Sequence, residues 1–235
     1  MKRYAARTAR TVAILPVKGF EAAKQRLADM LGGGARKALA QAMFSDVLAT
    51  LRRVPELDEI AVVTADRAAE AAAVGERVTV LRDLTEAGQS AAALIGIHHA
   101  VATGSERVLL VPGDTPLFQP REVAALIDGT RGVVIVADRH GTGTNALVLS
   151  PPDAIEPVFG PGSFARHVAA AEAAHVAHRV EEAPGLALDV DTPADLAELA
   201  AALEGRRGQA PSTRGALRQL ERAGAWTAPL ARASA

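Results

Sequence analysis

The chain has 235 residues, 49% of them hydrophobic, with a formal net charge of −1 at pH 7 and no cysteine. That length suits one large α/β domain or two small ones, and the apolar share is enough for a sizeable core. Near-neutral charge argues against a nucleic-acid binder driven by bulk electrostatics, and the lack of cysteine excludes a disulfide framework, a zinc–thiolate site and a cysteine nucleophile.

The chain opens on a basic segment, Met1 to Arg10, that leads into a short strand-like run rather than a signal-peptide core. No apolar run approaches a membrane-spanning length, so a cytoplasmic protein without a membrane partner is the expectation. Val12 to Val17 predicts a first strand, followed by a loop rich in charge and glycine through Gly32-Gly33-Gly34. Ala35 to Val54 has helical apolar spacing at Leu39, Met43, Val47 and Leu51. Glu59 to Thr64 predicts a second strand, Arg67 to Ala73 a short helix and Val78 to Leu81 a third strand. Ser90 to Ala102 reads as a helix, Arg107 to Val111 as a fourth strand, Glu122 to Ile127 as a helix and Val133 to Ala137 as a fifth strand. This βαβ rhythm implies a parallel sheet with right-handed crossovers and helices on both faces.

The second half is less regular. Asn145 to Leu149 is strand-like, Ser163 to Ala174 helical, and Ala177 to Val180 a short strand. Thr192 is placed to cap a further helix, with Pro193 at its first position. From Gly205 the chain turns arginine-rich with weak periodicity. Residues 1–204 are therefore read as one domain and Gly205 to Ala235 as a mobile tail with one short helix, Gly215 to Ala223.

Six segments can carry chemistry. The loop after the first strand holds Lys18, Lys24 and Arg26 beside Gly19, where three cations can wrap a triphosphate; they can equally be a solvated charged loop. No Walker A lysine motif or dinucleotide glycine fingerprint is present. Leu109-Leu110-Val111-Pro112-Gly113-Asp114 is an apolar run stopped by an acid, at the strand end where open α/β sheets bind ligands. Asp114 there can hold Mg²⁺ or merely cap a turn, and a second acidic strand end, Leu188-Asp189-Val190-Asp191, points toward metal. Asp138 to Asn145 makes a compact Gly/Thr turn that suits an anion, or a plain hairpin. Gly160-Pro161-Gly162-Ser163 precedes a helix, where Ser163 can cap and also touch a phosphate; Arg166 and His167 in the first turn hint at an anionic ligand. Gln89-Ser90 can read a base edge, and His98-His99 point apart on a helix and fit a structural role.

Together, PVKGFEAAKQRL, PGDTPL, ADRHGTGTNAL, FGPGSFARH and LDVDTPADL resemble the CofC/FbiD family of guanylyltransferases, which activate a small phosphorylated acid for biosynthesis of the deazaflavin coenzyme F-420. The match runs from about Val12 to Leu203, and the order of the five pieces is its specific part; the AGQSAAA segment at Ala87 to Ala93 departs from the family's usual GLNAA-like pattern. The resemblance implies a three-layer α/β fold with a mostly parallel sheet, of the nucleotide-diphosphosugar transferase type. It implies metal binding by Asp114, Asp189 and Asp191, and acceptor contacts from Thr144, Gly160 and Ser163.

The expected reaction joins GMP from GTP to phosphoenolpyruvate or 2-phospho-L-lactate and releases pyrophosphate. Mg²⁺ would be held by Asp114 with Asp189 or Asp191, and the triphosphate balanced by Lys18, Lys24 and Arg26. The expected partners are GTP and the phospho-acid, with no nucleic acid and with a homodimer allowed. A molybdopterin-type nucleotidyltransferase and a non-catalytic nucleotide-binding module are the alternatives.

Overall fold

A computed structural model describes residues 9–206 and 208–226. In chain order the elements are β1 (Thr11–Val17), two 3₁₀ turns (Phe20–Ala22 and Gln25–Leu27), α1 (Gly33–Leu51), β2 (Glu59–Thr64), α2 (Arg67–Gly75), β3 (Thr79–Arg82), α3 (Gln89–Ala102), β4 (Arg107–Leu110), α4 (Pro120–Ile127), β5 (Gly132–Ala137), β6 (Thr144–Ser150), α5 (Ser163–Ala173), β7 (His178–Val180), α6 (Pro184–Ala187), α7 (Pro193–Glu204) and α8 (Pro211–Arg222).

Seven strands form one mixed sheet in the order β3-β2-β1-β4-β6-β5-β7. β1 lies near its middle and is parallel to β2 on one side and β4 on the other. Its unbroken apolar stretch fits that position, because a strand covered on both faces has no place for alternating polar residues. Successive side chains still point to opposite layers. Ala13 and Leu15 join a core with α1 residues such as Phe44 and Val47, whereas Val12 and Ile14 join one with Ala93 and Ile97 of α3. Gly96 permits that second contact: a Cβ there would lie 2.3 Å from the Ile14 Cγ2 methyl.

The sheet is mostly parallel, as expected, except that β6 runs antiparallel to both β4 and β5. The chain between β5 and β6, residues 138–143, is too short for a crossover, which leaves a hairpin as the available connection. β6 thereby brings Thr144 and Asn145 to the carboxyl end of β5, beside the carboxyl end of β4.

The tail from Gly205 requires a correction. α8 packs on α1, and Leu217, Leu220 and Trp226 are buried in a third core with Leu39, Met43, Leu196 and Leu199. Asp46, buried within α1, accepts the backbone N–H groups of Ser212 (3.1 Å) and Thr213 (2.7 Å). An acid from another helix thus satisfies donors that open the first turn of α8, next to its favourable dipole end. The composition that suggested mobility hides a narrow apolar stripe at Thr213, Leu217 and Leu220. Arg207 and residues 227–235 of the predicted tail lie outside the described residues.

Candidate active site

The carboxyl ends of β1 and β4 open into a cleft of about 880 Å³. Its floor begins with the loop after β1. The Phe20 N–H donates to Asp66 Oδ2 (2.8 Å), while Asp66 Oδ1 caps α2 through Ala68 and Ala69, so the loop is tied to the start of that helix. Lys24 stands between the two 3₁₀ turns in a left-handed conformation (φ 56°, ψ 41°). For a non-glycine residue that backbone costs on the order of 1 kcal/mol or more, which its ion pairs offset.

Lys24 Nζ donates to Asp114 Oδ2 and to Asp191 Oδ1 (3.0 Å), with only 7% of its side chain exposed. Burial by itself pulls the ammonium pKa down, but the Asp114 and Asp191 carboxylates outweigh it and hold the pKa above its ordinary value. The three cations expected on this loop therefore separate. Lys24 is buried between carboxylates, Arg26 is largely exposed with a guanidinium nitrogen 4.0 Å from Asp191, and Lys18 is exposed on the cleft wall.

The acids arrive from the end of β4 and from the irregular segment between α6 and α7, where the strand expected at Leu188 to Asp191 does not form. Asp114 follows β4, and its second oxygen, Oδ1, is buried with no hydrogen-bond partner among the described residues. Asp189 receives the Asn145 side-chain amide (3.1 Å), which also donates to the Leu186 and Ala187 carbonyls (3.0 Å each). Burial first, then the charges of Asp114 and Asp191, push the Asp189 carboxyl pKa up. Asp191 is half exposed. Its N–H, with that of Thr192, donates to Asp195 Oδ2, and Asp195 pairs in turn with Arg139. Thr192 caps α7, as its sequence predicts.

Asp114, Asp189 and Asp191 thus share one end of the cleft with different partners. Among the described residues no three acidic or histidine side chains are close enough to hold a metal by themselves. The Lys24 ammonium lies between Asp114 and Asp191. Carboxylate oxygens are nonetheless the donors that Mg²⁺ takes, and a buried, unpartnered oxygen on Asp114 is one that a cation or ligand would satisfy.

The rest of the cleft lining bears on three further sequence expectations. The turn from Asp138 to Asn145 is not an open anion nest, because Asp138 Oδ1 already accepts the His140 (3.1 Å) and Thr142 (2.9 Å) N–H groups. An Asp at a loop start serves its own backbone in this way. Ser163 does not cap α5: Gly162 takes the N-cap position in a left-handed conformation, and Ser163 is the first helical residue. Its hydroxyl is buried without a partner among the described residues. The Arg166 guanidinium, which its sequence position suggested for an anion, folds back onto the Pro161 and Val158 carbonyls.

Thr144, Gly160 and Ser163 do converge on the cleft. Gly160 has φ 109°, a conformation that favours glycine. Thr144 Oγ1 lies 2.9 Å from His167 Nδ1, and the Val158 N–H donates to His167 Nε2 (2.8 Å). His167 is fully buried, and burial followed by the Arg166 charge lowers its pKa to about 4 from an ordinary 6.5. Between those values the unfolded chain binds a proton that the folded one refuses. Stability is therefore expected to fall as pH drops from about 6.5 toward 4, by up to roughly 3 kcal/mol from this group, with no contribution above neutrality. Urea unfolding at pH 7 and pH 4.5 checks this: His167→Asn should lose less stability than wild type over that interval.

Gln89 lines the cleft from the start of α3, whereas the Ser90 hydroxyl accepts the Phe159 N–H (2.9 Å) and so ties α3 to the segment carrying Gly160. His99 pairs with Glu59 (2.8 Å) and His98 is exposed, in keeping with a structural role. The residues missed from sequence are Asn145, Asp195 and Asp66. Each is an acid or amide beside a turn, a signal shared with ordinary loop formers.

The family described as guanylyl transferase CofC-like matches residues 11–221. A phosphoenolpyruvate guanylyltransferase from Conexibacter woesei is 50% identical over 216 residues, covering 90% of this chain and 97% of the relative. A second from Sphaerobacter thermophilus is 38% identical over 193 residues, covering 81% and 92%. Among solved structures, a candidate nucleotide-diphospho-sugar transferase from Desulfovibrio desulfuricans aligns with a TM-score of 0.75 at 18% identity, over 91% of this chain and 96% of that one. A nucleotidyl transferase from Methanothermobacter aligns at 0.62 and 20% identity, over 82% and 97%. The structural likenesses speak to the fold, which is the three-layer nucleotidyltransferase arrangement expected from sequence.

Proposed function

The chain belongs to the CofC-like guanylyl transferase family, and from that premise we propose that it transfers GMP from GTP to the phosphate of phosphoenolpyruvate, releasing pyrophosphate. The observation that carries the reading is one cleft with two unpartnered polar atoms in its lining. One, an oxygen of Asp114, stands beside Lys24, which also pairs with Asp191; the other is the hydroxyl of Ser163, in the lining that also holds Thr144.

An acceptor phosphate oxygen attacks the α-phosphorus of GTP. A P–O bond forms there as the bond to the bridging β-phosphate oxygen breaks, and pyrophosphate leaves with the electron pair. The nucleophile is already an anion, so the chain need supply no general base. Its residues work by alignment and charge, as phosphoryl transfer generally requires. Lys24, Lys18 and Arg26 offset the triphosphate charge. Thr144, Gly160 and Ser163 hold the acceptor. Asp114, with Asp189 or Asp191, would hold Mg²⁺, which when bound supplies further neutralisation of the triphosphate. The activity of the relatives, phosphoenolpyruvate guanylyl transfer, favours a small phospho-acid over a pterin acceptor. Coenzyme F-420 assembly in the cytoplasm is the proposed setting; no described helix is long and apolar enough to cross a membrane.

Pyrophosphate release from GTP and Mg²⁺, measured against phosphoenolpyruvate, 2-phospholactate and 3-phosphoglycerate, tests the reading. The highest kcat/KM is expected with phosphoenolpyruvate, and no release with any acceptor would overturn it. Ser163→Ala refines the test. Because the hydroxyl caps nothing, the melting temperature should hold, while kcat/KM for the acceptor falls about ten- to a hundredfold. GTP affinity, measured by calorimetry without acceptor, should stay level. Equal losses for both substrates would remove Ser163 from the acceptor site.

A further inference from the structure

We propose that His167 is a positioning residue that keeps the Thr144 hydroxyl hydrogen available to the acceptor. The argument starts from a donor that cannot change. The backbone N–H of Val158 points at His167 Nε2 across 2.8 Å. An N–H there can only meet a lone pair, so Nε2 must be bare, and a neutral imidazole then carries its hydrogen on Nδ1. The low basicity that burial imposes agrees with a neutral ring at physiological pH.

Nδ1 faces Thr144 Oγ1 at 2.9 Å. With the hydrogen on Nδ1, the imidazole donates and the threonine oxygen accepts. Were the tautomer reversed, Thr144 would give its single hydroxyl hydrogen to the ring and have none left for a ligand. Among the described residues His167 is the side-chain partner of this hydroxyl, and Thr144 lines the cleft. The Phe159 ring meets the imidazole edge-on at 5.3 Å and fixes its plane. A phosphate or carboxylate oxygen is the kind of group that needs a donor, and a donor already set in place loses less freedom on binding. The inference rests on the reading that Thr144 touches an anionic acceptor.

Three measurements on the full chain test it. Long-range ¹⁵N NMR of the histidine rings at neutral pH should show His167 protonated at Nδ1 and bare at Nε2; the opposite pattern overturns the proposal whatever the enzyme's substrate. Kinetics then separate positioning from support. His167→Asn puts an amide donor near the Nδ1 position, and His167→Gln puts an amide oxygen near Nε2, where it can still accept from Val158. His167→Gln should raise KM for phosphoenolpyruvate about tenfold or more with KM for GTP unchanged, while His167→Asn stays within about threefold of wild type. A merely structural histidine gives the reverse order. Thr144→Val supplies the cycle: in that background His167→Gln should add nothing to the acceptor KM. If Thr144→Val raises the acceptor KM and His167→Gln does not, the proposal falls and the acceptor site stands. If no acceptor reacts at all, the functional reading falls and the tautomer measurement still decides His167. Should His167→Gln fail to fold, the ring spectrum and His167→Asn, which is then expected to keep its acceptor KM, carry the decision.

Discussion

Asp114→Asn is expected to lower guanylyl transfer by roughly a thousandfold or more, about 4 kcal/mol of transition-state stabilisation, with the fold retained. Asparagine keeps the shape of the side chain and removes its charge. One oxygen of Asp114 pairs with Lys24 and the other is buried and unpartnered, so the carboxylate is poised for something the free protein does not supply. Lys24 keeps Asp191 after the substitution, and Asp114 is partly exposed, so the cost in stability should be small. The upward push on the Asp189 carboxyl should also relax, because the charge of Asp114 is one of its causes. Pyrophosphate release at saturating GTP, acceptor and Mg²⁺, together with a thermal melt, measures both effects. Near wild-type turnover would take Asp114 out of the reacting centre.

Deleting Gly205 to Ala235 is expected to lower the melting temperature by on the order of ten degrees or more, or to leave the chain insoluble. α8 covers Leu39 and Met43 and buries Leu217 and Leu220; Trp226 lies in the same core. Each large apolar side chain of that kind contributes about 1.5–3 kcal/mol when fully buried. Asp46 adds a second loss. Without Ser212 and Thr213 its carboxylate loses two backbone donors, and bonds to a charged group are worth about 1.5–3 kcal/mol each. Against a total stability of roughly 5–15 kcal/mol, such losses are large. Thermal unfolding of the full chain and of residues 1–204 decides the matter; a difference of only a degree or two would show that α8 contributes little.

The central fold is legible because strand residues such as Val12 to Leu15 and Leu147 to Leu149 leave no polar face to misread, and each ends at a residue unlike its neighbours. The reversal of β6 is not, since periodicity carries no direction; only the shortness of the loop between β5 and β6 encodes it. Lys24 and Asp114 meet because the segments after β1 and β4 leave the same edge of the sheet; Asp191 reaches that edge on the irregular segment between α6 and α7, which its sequence wrongly marks as a strand end. The anion nest at Asp138 fails for a local reason: an acid at the head of a glycine turn takes the N–H groups that a ligand would need. Ser163 is misplaced by one position because Gly162, able to turn left-handed, ends the loop first. α8 escapes notice because its apolar residues occupy one stripe among arginines, and its cap lies in another helix.

That cap has a consequence for how the chain is made. Asp46 and Ser212 are separated by 166 positions, and synthesis proceeds from the amino end. α1 therefore leaves the ribosome with its acid and outer apolar stripe uncovered, and they stay uncovered while the whole sheet is built. α8, short and rich in arginine, has little reason to be helical alone. It gains its first-turn partner and its apolar cover in one event, when it reaches α1. Ribosome stalling upstream of Ser212 would leave the nucleotide cleft's residues all translated and the apolar seam on α1 that α8 covers still open.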